Sequence, residues 1–226
     1  MNKIDTTEIM NEIKDNILQT KKIIIIGKGN TAKYIENRDE DTYYIAIKQS
    51  IIFMKIDVDL LIITDFGGLC GIKLHNVKYI LCPYFLHDDT MKPNLKLDWN
   101  FTIKYLKEHN FTGKVCFIQL KQDLEKVDKY EIFHALNSGD LAFVFLNKIN
   151  YKNPIITYGI NIDTYYHKDI LKLIENIKPK NKYHEKWLER YKNDIKEGKG
   201  QMNNKEYFLK NQELMKKRYN LNINFF

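Results

Sequence analysis

The feature that most constrains this chain is an uninterrupted apolar run, Ile23-Ile24-Ile25-Ile26. It opens directly onto Gly27-Lys28-Gly29 and then Asn30-Thr31-Ala32. β-Branched residues without polar alternation suit a strand covered on both faces, the usual condition in a parallel sheet. A glycine-rich turn after such a strand predicts backbone N–H groups that approach an anion closely. A following helix, capped by Thr31, would add the favourable end of its dipole. The first expectation is therefore a nucleotide-binding α/β protein.

The glycines admit several ligands. The phosphate-loop pattern needs four residues between its glycines and a Gly-Lys-Ser/Thr ending, and is absent. The dinucleotide pattern GxGxxG/A is matched by Gly27, Gly29 and Ala32. Its acidic ribose partner should close the second strand, but Tyr43-Tyr44-Ile45-Ala46-Ile47 runs into Lys48-Gln49-Ser50, with no carboxylate. That speaks against NAD, whereas a lysine there tolerates NADP. A mononucleotide or nucleotide-sugar site is the third reading. A tight strand-to-helix turn without any ligand accounts for the same glycines.

Apolar residues at helical spacing (Ile9, Ile13, Ile17, Leu18) predict an amphipathic helix over 8–19. Strands are expected at 22–26, 43–47, 60–64, 77–82, 115–119 and 155–158, with helices at 98–109 and 138–147. A final helix at 206–219 leads into an edge strand at 221–226. This alternation predicts one α/β domain over 1–226, a doubly wound, mostly parallel, Rossmann-like sheet. Ligands bind such sheets at the carboxyl ends of the strands. Those ends carry Gly27-Lys28-Gly29, Lys48-Gln49, Asp65 and Gly159-Ile160-Asn161. The polar, aromatic stretch 163–200, with Tyr165, Tyr166, His167 and His184, is expected to form helical pieces or a lid over those ends.

The net charge of +7 suits an anionic ligand. Lysine, asparagine, isoleucine and tyrosine abound together, as A/T-rich codons dictate, so much of the basicity is compositional. The basic residues from Lys178 to Arg218 are interspersed with acidic ones and read as a solvated helical face; no nucleic-acid partner is expected. Cys70, Cys82 and Cys116 lack metal-ligand spacing and fall in or beside apolar runs, which predicts buried, reduced thiols and no metal. The N-terminal residues lack an apolar leader and no stretch approaches the roughly 20 residues of a membrane span. The expectation is a cytoplasmic protein, with peripheral membrane contact left open.

Three ordered blocks resemble the bacterial single-domain sialyltransferases and their uncharacterised relatives. Ile26-Gly27-Lys28-Gly29-Asn30-Thr31 is similar to the family's strand followed by Gly-Asn-Gly-Pro-Ser. Asn137-Ser138-Gly139, its helix, and Asn153-Pro154-Ile155-Ile156-Thr157-Tyr158-Gly159-Ile160-Asn161 resemble Thr-Ser-Gly, an alanine-rich helix and a strand ending in Gly-Ile-Asp. Leu214 to Ile223 resembles the last helix and strand.

The resemblance implies a CMP-linked sugar donor lying across the strand ends, a glycan acceptor, and transfer without a metal or other cofactor. Gly27, Gly29, Asn30 and Thr31 would line the phosphate or ribose, and Lys28 or Lys48 would neutralise phosphate charge. Gln49 would lie near the phosphate or sugar, with Ser138, Gly139, Gly159 and Asn161 around the donor. Tyr165 and Tyr166 would stabilise the departing phosphate. The family's base is a histidine shortly before the final helix, where this chain has Gly200-Gln201-Met202-Asn203-Asn204. His184 is then the first candidate and His167 the second. Lys28 and Lys48 replace asparagines of the family, and Asn161 replaces an aspartate.

Two further readings stand beside transfer. One is an NADP-dependent oxidoreductase. The other is an inactivated relative that keeps nucleotide binding without a base.

Overall fold

The computed structural model describes residues 6–63, 71–83, 106–118, 138–160, 166–178, 185, 188–189, 192–193 and 221–226. The apolar runs form seven strands: β1 Lys22–Ile26, β2 Thr42–Ile47, β3 Val58–Ile62, β4 Val77–Pro83, β5 Lys114–Ile118, β6 Ile155–Tyr158 and β7 Ile223–Phe225. They hydrogen-bond in the order β5-β4-β3-β2-β1-β6-β7, and every pairing is parallel. The expected α/β doubly wound sheet is thus present, and β7 is an edge strand. Of the expected helices, 206–219 and most of 98–109 lie outside the described residues.

Continuous apolar strands need cover on both faces, and two separate cores supply it. On one face lie α1 (Thr7–Leu18) and α2 (Ser138–Lys148). Ile13 and Ile17 of α1, with Leu141, Phe145 and Leu146 of α2, pack on Ile23, Ile25, Ile45 and Leu60. On the other lie a 3₁₀ helix (Lys48–Phe53) and α3 (Lys168–Asn176). There Phe53, Ile170 and Ile174 pack on Ile24, Ile26, Ala46 and Leu61. Ile170 and Ile174 are fully enclosed, each worth about 1.5–3 kcal/mol of burial. The first helix of the 163–200 stretch is therefore core structure.

From β1 the chain steps outward through β2, β3, β4 and β5, then returns to place β6 on the other side of β1. The direction of winding reverses between β1 and β6. In open parallel sheets that switch point is where a crevice forms outside the carboxyl ends.

One connection departs from expectation. Residues 27–41 contain no helix. Ile35 N donates to Phe53 O at 2.8 Å, and Lys55 N donates to Ile35 O at 2.8 Å. This pairing satisfies both backbone groups of Ile35. Asn30, Thr31, Tyr34, Ile35, Asn37 and Asp39 are all weak helix formers.

Cys82 and Cys116 are buried free thiols, as expected, and burial pushes both upward, Cys116 to about 11. No helix among the described residues is long and apolar enough to cross a membrane.

Candidate functional site

The glycine turn after β1 and the turn after β6 meet at the switch point. Gly27 N donates to Tyr158 O at 2.7 Å and Gly29 N to Gly159 O at 2.8 Å. Both turns need glycine. A Cβ on Gly27 would stand 2.3 Å from Gly159 O. Gly159 itself adopts φ +68, and a Cβ there would stand 2.7 Å from Gly27 O. The two glycine amides of the β1 turn are thus committed to β6, where a phosphate cradle would need them free.

Thr31 has a different role from the one its sequence position predicts. With no helix to cap, its hydroxyl donates to Phe226 O at 2.7 Å and accepts from Gly159 N at 3.1 Å. It ties the turns of β1 and β6 to the end of β7. Phe226 also packs its ring on Tyr158, with centroids 5.7 Å apart. Asn30 is exposed beside this junction.

Tyr166 and His167, early in the 163–200 stretch, lie directly on the glycine turn. Gly29 and Tyr166 form an antiparallel bridge, and His167 N donates to Lys28 O at 2.8 Å. The Lys28 ammonium sits 4.9 Å from the centre of the Tyr166 ring, close enough for a cation–π attraction. Lys28 and Tyr166, predicted separately as phosphate ligand and lid residue, are one contact.

At the end of β2, Lys48 adopts φ +53, the left-handed region that ordinary side chains enter at a cost. Gln49 and Ser50 follow and are fully buried. Ser50 Oγ donates to Ile26 O at 2.6 Å and accepts from Ile47 N at 2.8 Å, which fastens the ends of β1 and β2 together. Gly139 is buried in the first turn of α2. Ser138 opens that helix, and α2 ends shortly before β6, so its first turn points back toward the carboxyl edge. Asp65, Asn161, Tyr165 and His184 lie outside the described residues.

A second cluster involves residues the sequence did not join. The Tyr34 hydroxyl donates to Asp169 Oδ2 at 2.8 Å. Asp169 N donates to His167 Nδ1 at 3.2 Å, and Nδ1 lies 3.6 Å from Asp169 Oδ2. Phe53 stands edge-on to both Tyr34 and His167, with centroids at 5.2 and 4.8 Å. The Tyr34 bond holds the Asp169 carboxyl below the usual carboxylate range, and the same bond raises the Tyr34 phenol. An acidic residue in a helix's first turn signals Asp169 in the sequence. Nothing local signals Tyr34, which is 135 positions away.

Comparison with protein-family models, with curated proteins and with solved structures finds no match to this chain.

Proposed function

We propose that this protein binds a nucleotide at the carboxyl edge of its sheet and acts as a glycosyltransferase on a CMP-linked, sialic-acid-like sugar donor. The observation that carries the reading is the convergence at the β1–β6 switch point of two glycine turns, Lys28 and Tyr166, with the left-handed Lys48 at the end of the neighbouring strand. The Gly27 and Gly29 amides are bonded to β6, so the phosphate would be met chiefly by the ammonium groups of Lys28 and Lys48. Charge-assisted contacts of that kind are stronger than neutral ones.

In this reaction the acceptor oxygen attacks the anomeric carbon as the bond to the donor phosphate oxygen breaks. The leaving oxygen takes the electron pair, and a base takes the acceptor's proton. Lys28, Lys48 and the tyrosines would offset charge growing on the phosphate. His184 is the candidate base.

A nucleotide-binding protein without transfer activity is the second reading, and one observation favours it. His167, the histidine beside the glycine turn, has Nδ1 committed as an acceptor at the start of α3. A dinucleotide site of the usual kind would have a helix after the glycines, and residues 27–41 contain none.

The test is thermal stabilisation by CMP, CDP, UDP and NADPH in the native protein and in Lys28→Glu. A ligand at about 100 times its Kd adds roughly 2.7 kcal/mol to stability. A CMP-selective rise in Tm that disappears in Lys28→Glu is expected. A rise with NADPH alone, or with none of the four, overturns the proposal.

A further inference from the structure

We infer that His167 serves the site as a neutral hydrogen-bond donor, presenting Nε2–H to the phosphate of a bound nucleotide, and not as a base. The inference rests on the nucleotide reading above and fixes one contact within it.

The starting point is the helix that follows β6. α3 begins with exposed backbone N–H groups that need acceptors, and its N-cap residue is His167, in place of the usual Ser, Thr, Asp or Asn. The cap works because Nδ1 accepts from Asp169 N at 3.2 Å, and an acceptor nitrogen carries no proton. In a neutral imidazole the proton must then be on Nε2. Among the described residues, no hydrogen bond reaches Nε2. The ring is held from one side by Phe53 at 4.8 Å, and from its backbone by the 2.8 Å bond to Lys28 O. A side chain that is 16% exposed is therefore fixed in orientation and tautomer next to Lys28, with a single donor left to offer.

Charge fits the same assignment. Among the described residues, the carboxylate that meets this ring is Asp169, which lies on the Nδ1 side and has its Oδ2 occupied by the Tyr34 hydroxyl. Lys28, on the turn that His167 touches, supplies the positive charge. A base would need the opposite tautomer, and reaching it would require breaking the cap of α3.

Two measurements test this, with CMP and inorganic phosphate as probes. In the free protein, the ¹⁵N spectrum of the histidine ring should show the Nε2–H tautomer; an Nδ1–H tautomer overturns the inference whatever the protein binds. In His167→Asn, the new side chain caps the helix at least as well but lacks the distant donor. The variant should melt at the native temperature or above, while CMP binding weakens on the order of ten- to hundredfold, the worth of a hydrogen bond to a charged group. If the native protein binds CMP and His167→Asn binds it equally, this inference fails alone. If the native protein binds neither CMP nor phosphate, it fails together with the nucleotide reading. The tautomer measurement needs no variant to fold.

Discussion

The two edges of the sheet are built on different principles. Along the amino edge, cations meet carboxylates: Lys21 with Asp41, Lys22 with Asp39, Arg38 with Asp59 and Lys114 with Glu12, all at 2.6 to 2.8 Å. Arg38 grips both oxygens of Asp59, whose Oδ2 also accepts from Tyr44 N, so the connection after β1 is fastened to β3. Along the carboxyl edge, Lys28 and Lys33 lie over the rings of Tyr166 and Tyr158. A positively φ-disposed lysine and two glycine turns in forced contact stand beside them. Cations lie over rings at both edges, as Arg38 does over Tyr44 and Lys78 over Tyr79. What sets the carboxyl edge apart is its close and strained backbone, a feature that clusters where proteins bind ligands.

The largest expected effect falls where the carboxyl edge is tightest. Gly27→Ala puts a Cβ against Gly159 O and Ile160 Cγ1, at 2.3 and 2.6 Å. The β1 and β6 turns must separate to admit it. A loss of about 3 kcal/mol or more is expected, read as a fall in the urea midpoint. A variant within about 1 kcal/mol of the native protein would show that the glycines are not there for close approach.

The amino edge is sharpened by alkali. The Tyr79 phenol is pushed up to about 12, chiefly by burial and then by its bond to Glu12. A group raised on folding contributes fully below its unfolded value, near 10. That contribution is lost as pH climbs through the folded value. Stability should therefore fall between about pH 10 and about 12, by on the order of 2 kcal/mol, with the buried Tyr43, also raised by burial, adding to the loss. In Tyr79→Phe the slope over that interval should be visibly shallower in urea melts at pH 10, 11 and 12. An unchanged slope would assign the alkaline loss to other groups.

The same contrast explains what could be read from the sequence. Six strands are legible because each is built on a short apolar run, with no competing pattern over Ile23–Ile26 or Leu60–Ile62, whereas β7 alternates as Ile223-Asn224-Phe225. Helix α1 is legible because Ile13 and Ile17 recur at helical spacing. The turn after β1 is legible as a glycine turn but not as a site. Whether Gly29 N faces a ligand depends on Gly159, and their meeting is set by sheet order, not by local sequence. Thr31 looks like a helix cap because threonine is among the residues favoured at N-caps; its partners, Phe226 and Gly159, are remote in the chain. His167 and Asp169 are two positions apart in the chain, yet the tyrosine and phenylalanine that fix them come from the connections flanking β2.

The smallest expected change tests the carboxyl edge most directly. Lys48 holds φ +53 at the end of β2, a conformation costing a non-glycine residue roughly 1–2 kcal/mol. Lys48→Gly removes that cost, and the greater freedom of glycine in the unfolded chain returns part of it. The net should be a stabilisation of about 0.5–1 kcal/mol, read as a raised urea midpoint. If Lys48 is kept for a phosphate, the same variant should bind CMP more weakly than the native protein, so stability and affinity move in opposite directions. An amino-edge lysine offers no such trade. Lys21 is exposed and paired only at the surface, and Lys21→Gly should lower stability slightly while leaving CMP binding alone. A Lys48→Gly protein that is steadier and binds CMP unchanged would mean that the left-handed lysine is an ordinary strand ending. The two edges would then differ in how they are packed, with no difference in what they are for.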